Sequence, residues 1–157
     1  MKFAFTEENL KKIEAVRKKY PTALAAVMPV IHIAQEQNGY ISEEVMEEIA
    51  NVLGIDKVNV LSVVTFYTMY HTKPMGKYHV QVCTNVSCML RGAYEIYDHV
   101  KNKLGIDNMQ VTSDGKFSLE EVECMGACGG APMVAINEDY FENLTKEKIE
   151  EILDSLK

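Results

Sequence analysis

All four cysteines of the chain fall in two short loops, Cys83-Thr84-Asn85-Val86-Ser87-Cys88 and Cys124-Met125-Gly126-Ala127-Cys128, joined by residues 89–123. Paired thiols can close disulfides, run thiol–disulfide exchange, or bind metal as thiolates. Four thiolates are the usual ligand set of a [2Fe–2S] cluster and equally of structural zinc. Structural zinc favours tight Cys-x2-Cys knuckles, in which one turn offers two sulfurs to a single tetrahedral ion. Here the spacings are Cys-x4-Cys and Cys-x3-Cys, and wider loops suit a flat two-iron core whose sulfurs span a larger rhomb. The spacing favours iron–sulfur ligation by Cys83, Cys88, Cys124 and Cys128, with zinc or unligated thiols as the alternatives.

The neighbours add to this reading. Gly126, Gly129 and Gly130 surround the second loop, and glycine lets backbone N–H groups approach closely. A cluster held by four thiolates is a net anion, more so once reduced, and the chain itself carries a formal charge of −7. Backbone donors, and a helix starting near Cys88, would have to stabilise that charge, which predicts a low-potential one-electron carrier. Met89, Met125 and Met133 are candidates for an apolar cover, and Met133 reads equally as core.

The elements that must position these loops lie in the second half of the chain. Residues 78–83 alternate as a half-buried strand and end on Cys83. A helix is predicted from Cys88 or Met89 through Leu90, Tyr94, Ile96, Tyr97 and Val100 to a stop at Gly105. After the Asp114-Gly115 turn, residues 117–124 read as a strand ending on Cys124. Residues 133–136 and 140–141 flank Asn137-Glu138-Asp139 as a hairpin, and Thr145 caps a final amphipathic helix through Ile149, Ile152 and Leu156. The order βα then βββα is that of a small thioredoxin-like α/β sheet with helices on its faces. Both cysteine loops then follow carboxyl ends of strands, where such sheets hold ligands.

Residues 1–73 read as a separate helical unit of four helices, and residues 77–157 as the thioredoxin-like domain, divided at Thr72-Lys73-Pro74-Met75-Gly76-Lys77. Thr6 caps the first helix, with Leu10, Ile13 and Val16 at helical spacing. The second is predicted over residues 22–38, kinked at Pro29 and stopped by Gly39. Ser42 and Asp56 cap the third and fourth. His32, in an apolar stretch with no second ligand at i+4, reads as a core histidine. The run Phe66-Tyr67-Thr68-Met69-Tyr70-His71 suits a binding surface and helix-end packing equally well.

Composition excludes several classes. The 47% hydrophobic and 25% charged content is that of a globular protein, and no apolar run approaches the roughly 20 residues of a spanning helix. The amino terminus turns acidic before a signal-peptide core can form, which predicts a cytoplasmic protein with reduced thiols. No basic run follows a phosphate backbone; Lys11-Lys12 and Lys18-Lys19 suit a solvated helix face, so no nucleic-acid partner is expected. No Cys-x-x-Cys pair opens a helix, which weakens a thiol oxidoreductase, and no Gly-x-Gly-x-x-Gly loop is present for a dinucleotide.

At the level of motifs, Cys83-x4-Cys88 followed by Met89-Leu90-Arg91-Gly92-Ala93, then residues 122–128 and Ala131-Pro132-Met133, resembles one family. This is the thioredoxin-like [2Fe–2S] subunit of NADH:quinone oxidoreductase, the 24-kDa-type subunit of respiratory complex I. Residues 29–40 and 64–67 are similar to its helical amino-terminal region, so the resemblance covers nearly the whole chain. It implies that Cys83, Cys88, Cys124 and Cys128 ligate one [2Fe–2S] cluster. It also implies docking on a larger flavoprotein subunit that binds NADH and FMN, with single electrons exchanged with that flavin and no active site in this chain. In the family the cluster lies beside the main electron route, which suggests a storage or flavin-protecting role. Other subunits of the complex would be further partners, and any membrane association would be peripheral, at the inner membrane. The same module serves NAD-linked hydrogenases and formate dehydrogenases, and the sequence alone does not separate these assemblies. A zinc-holding adaptor is the remaining alternative.

Overall fold

A computed structural model describes residues 2–156, which divide into a first unit ending at Pro74 and a second beginning at Met75. In the first unit Thr6 has extended backbone and its hydroxyl accepts the Asn9 N–H at 3.2 Å, opening α1 (Glu7–Arg17). A 3₁₀ turn over Leu24–Ala26 precedes α2 (Val27–Asn38), so the single helix predicted from residue 22 is two elements. Pro29 consequently stands in the first turn of α2, where its missing N–H has no intrahelical acceptor to lose. The expected mid-helix kink has no cause.

Ser42 caps α3 (Glu43–Leu53), its hydroxyl accepting the Val45 N–H at 3.3 Å. Asp56 has the cap backbone for α4 (Lys57–Phe66), but its side chain makes no capping hydrogen bond. Ile13, Val30, Ile31, Val45, Ile49, Leu53, Val60 and Val64 form the core between these helices. Each such side chain contributes on the order of 1.5–3 kcal/mol through burial. His32 is not part of it. The buried side of α2 is Val27, Val30, Ile31 and Ala34, which leaves His32 exposed, its ring edge-on to Tyr70 with centroids 5.1 Å apart. The aromatic run likewise divides: Tyr70 is buried, whereas Phe66 is 76% exposed.

The second unit is built on a five-stranded sheet of order β2-β3-β1-β4-β5: β1 (Tyr78–Cys83), β2 (Gln110–Val111), β3 (Phe117–Val122), β4 (Val134–Ile136) and β5 (Asp139–Phe141). β1 and β3 are parallel, with Tyr78 opposite Phe117 and Cys83 opposite Val122; the other pairings are antiparallel. Two strands that run the same way deliver their exits to the same edge, which is the geometry two ligand loops need. Val80, Val82, Leu119, Val134 and Ile136 pack in one core with Ile96, Tyr97 and Val100 of α6 (Ala93–Leu104) and Ile149 and Leu153 of α7 (Lys146–Ser155). In β1, His79, Gln81 and Cys83 point to the opposite face by strand alternation. Buried His79 is held there by Ser118 Oγ and Glu120 Oε2, each at 2.8 Å, and Gln81 Nε2 donates to the same Glu120 oxygen at 2.9 Å. The hairpin turn at Asn137 is tied to β1, its side-chain oxygen accepting the His79 N–H at 2.8 Å.

The mixed helix–sheet class is as expected, with three local differences. The helix predicted after Cys88 is broken: α5 (Val86–Leu90) stops at Arg91, and Gly92 at φ 89° re-aims the chain into α6. That left-handed backbone is one glycine adopts without a Cβ penalty. β3 ends at Val122 rather than on Cys124, and the two-residue β2 has no counterpart in the sequence reading.

Candidate metal centre

Cys83 is the last residue of β1, its N–H donating to the Met133 carbonyl at 3.3 Å. The chain is then pinned to β3, because the Thr84 N–H donates to the Val122 carbonyl at 3.1 Å and the Thr84 hydroxyl to Glu121 Oε1 at 2.8 Å. Asn85 accepts the Val86 N–H with its side chain and opens α5, which carries Cys88. Both thiols are buried, 4% exposed at Cys83 and 2% at Cys88, against Ala93, Ala131 and Met133 with Val122, Met125 and Ala127. Burial, then the neighbouring Cys83 sulfur, pushes the Cys88 thiol up to about 11, while a backbone hydrogen bond from Met133 pulls the other way. At neutral pH Cys88 is therefore a thiol, and a metal that binds it must displace its proton.

The second pair is placed differently. Glu123 and Cys124 lie beyond β3 and are exposed, as is Cys128 at the start of a 3₁₀ turn over Cys128–Gly130. Gly126 at φ 74° turns its N–H back onto Cys124 Sγ at 3.4 Å, a donor aimed at sulfur. The Met125 carbonyl accepts the Tyr140 hydroxyl from β5 at 3.1 Å. Tyr140 escaped the sequence reading, since nothing in a hairpin pattern marks a strand residue as a support for a loop fifteen positions earlier.

The four thiols surround one cavity of about 90 Å³, whose remaining lining residues are Asn85, Val86, Ser87, Gly126 and Ala127. No charged side chain lines it, and its volume is about three times a water molecule's share of the liquid. Among the described residues, no three His, Cys, Asp or Glu side chains converge as a single-ion site requires. Four sulfurs around a space larger than one ion fit a polynuclear thiolate-bound group by donor type, number and room. Of the methionines expected to cover it, Met133 is fully buried and Met125 partly so within the apolar wall, whereas Met89 is 43% exposed and turns outward.

A cavity lined by four thiols thus lies at the carboxyl ends of two parallel strands of a thioredoxin-like sheet. The chain belongs to the thioredoxin-like [2Fe-2S] ferredoxin family, whose model matches residues 13–157. It is 47% identical over 158 aligned residues to an NADH-quinone oxidoreductase subunit of Rickettsia bellii (strain RML369-C), covering 99% of this chain and 95% of that one. It is 42% identical to an NADH-quinone oxidoreductase subunit of Rhizobium meliloti (strain 1021), covering 94% and 88% respectively. The fold is also that of part of an NAD+-reducing [NiFe]-hydrogenase crystallised in its H2-reduced state, with a TM-score of 0.74 at 17% identity. That match covers 87% of this chain and 23% of the hydrogenase chain.

Proposed function

We propose that Cys83, Cys88, Cys124 and Cys128 hold one [2Fe–2S] cluster, and that the chain is a one-electron subunit of an NADH:quinone oxidoreductase-type complex. In that complex it would exchange electrons with the FMN of an NADH-binding flavoprotein partner. The observation that carries this reading is that all four thiols, from two loops far apart in sequence, line one cavity. When bound, the cluster supplies a site that accepts and donates single electrons. The chain's own residues would do the rest. Met133 and Ala131 keep water from the inner sulfurs, and Gly126 N–H offers a hydrogen bond to an outer one. Gly126 and the exposed outer pair bring the cavity to the surface, where a partner's redox group can approach.

No helix among the described residues is long and apolar enough to cross a membrane. In such a complex the chain would take a peripheral place, beside its flavoprotein partner. Two relatives at 42–47% identity named as quinone-oxidoreductase subunits favour that assembly over the hydrogenase, whose likeness concerns the fold. The test is absorption and EPR spectroscopy of anaerobically purified protein before and after dithionite, with iron and zinc counted. Two irons per chain and a one-electron signal on reduction are expected, together with co-purification of an NADH-oxidising flavoprotein from the native host. Stoichiometric zinc in a colourless, EPR-silent protein would overturn the reading.

A further inference from the structure

The peptide joining Met125 to Gly126 is hydrogen-bonded at both ends. Its carbonyl accepts the Tyr140 hydroxyl at 3.1 Å, and its N–H donates to Cys124 Sγ at 3.4 Å. An amide that accepts at oxygen is polarised and becomes a stronger donor at nitrogen, so the two bonds reinforce each other. The phenol is itself held in place. Tyr140 pairs with Ala135 in the β4–β5 ladder, and just beyond β5 the Asn143 N–H donates to the Gly130 carbonyl at 2.6 Å. The Leu144 N–H donates to the Pro132 carbonyl at 3.1 Å. Between these points the Glu142 side chain lies against Gly130, where a Cβ would stand 2.1 Å from Oε2. β5 and the turn after it thus grip both ends of the outer cysteine loop, and the side-chain hydrogen bond in that grip comes from Tyr140.

Hydrogen bonds to cluster sulfurs stabilise the more negative, reduced form, and together with solvent exposure they set iron–sulfur potentials. We infer that Tyr140 is a positioning residue for the outer cysteine pair, acting through the Met125–Gly126 peptide to raise the reduction potential of the cluster and slow its loss. The inference rests on the proposal that Cys124 is a ligand. Because Tyr140 is 52% exposed, water competes for its hydroxyl and the effect is bounded.

The test is Tyr140→Phe in the full chain, which removes the hydroxyl alone, with Tyr140→Leu and Cys124→Ser beside it. For Tyr140→Phe, iron content and the reduced EPR signal are expected to persist. The reduction equilibrium constant should fall by up to tenfold, a shift of about 59 mV toward negative potential. Release of iron to a chelator should be roughly three to ten times faster, and melting of the iron-free protein unchanged. Tyr140→Leu should match Tyr140→Phe in potential. Wild-type potential and release rate in Tyr140→Phe would overturn the inference, as would a Tyr140→Leu effect that Tyr140→Phe lacks, which would mark ring packing. Iron loss accompanied by lower iron-free melting would also overturn it. Cys124→Ser separates the two levels: if it keeps the wild-type spectrum and iron count, the four-cysteine proposal itself fails. If it loses them while Tyr140→Phe stays wild type, only the role of Tyr140 fails.

Discussion

The two cysteine pairs offer the same ligand atoms from opposite physical settings. Cys83 and Cys88 end a strand and lie within a five-residue helix, and both are part of an apolar cluster. Cys124 and Cys128 stand on an exposed loop fixed by a few hydrogen bonds to β5 and its turn. The inner pair is therefore built by the same packing that folds the sheet unit, and the outer pair is attached to it afterwards. A mutation at the first should be read in stability, and one at the second in the bound group.

The sharpest way to break this contrast is at Met133, which is 1% exposed beneath the inner pair. Met133→Ala should cost about 2–5 kcal/mol in urea unfolding of the iron-free protein. Next in size is the cysteine contrast itself. Cys88→Ser puts a hydroxyl in an apolar pocket and should cost roughly 1–3 kcal/mol, whereas Cys124→Ser should stay within about 0.5 kcal/mol. Equal costs would sink the distinction between the pairs.

The same variants should separate in alkali. The folded Cys88 thiol titrates at about 11, above the ~8.5 of an unfolded cysteine, so the folded state keeps this proton longer. Its contribution is fully present below about pH 8.5 and is lost as pH rises through about 11. Burial also raises Tyr70 and Tyr97, so the diagnostic is the difference between proteins. Cys124→Ser should follow the wild-type alkaline decline, and Cys88→Ser should show a shallower one. The smallest effect belongs to Gly126→Ala. Nothing lies within 4 Å of the added Cβ, so only the left-handed φ of 74° opposes it, costing about 1 kcal/mol. That cost should appear as faster iron release more than as lower iron-free melting.

Much of this architecture was legible because local chemistry and tertiary structure agree. Thr6, Ser42 and Thr145 cap helices as their types suggest, and β1 ends on Cys83, though it is buried on both faces rather than half-buried in alternation. Number and spacing read the four thiols as one set, and all four line one cavity. What failed did so for identifiable reasons. Leu90 and Tyr94 extend an apolar pattern across Gly92, yet both are exposed, so the periodicity that suggested one helix reported no buried face there. β2 is two exposed residues and carries no alternation to read. His32 sits among apolar neighbours in sequence, but the roughly 100° step of a helix turns it away from them. Tyr140 acts through a backbone carbonyl, and carbonyls have no sequence signature.

The parallel register of β1 and β3 also fixes an order of assembly. Cys83 and Cys88 are neighbours along the chain and close a short loop, although the apolar wall that buries them needs Ala131 and Met133 from further along. Cys124 reaches it only after residues 84–116 have closed into a crossover and Val122 has found its place opposite Cys83. Loop closure of that length comes before any contact rewards it, which makes the pairing a late, non-local event. During synthesis the first half-site emerges and waits while the second is still being made. In the proposed four-cysteine site the full set of sulfurs exists only once β3 has paired with β1, and the last to arrive are the ones left facing solvent.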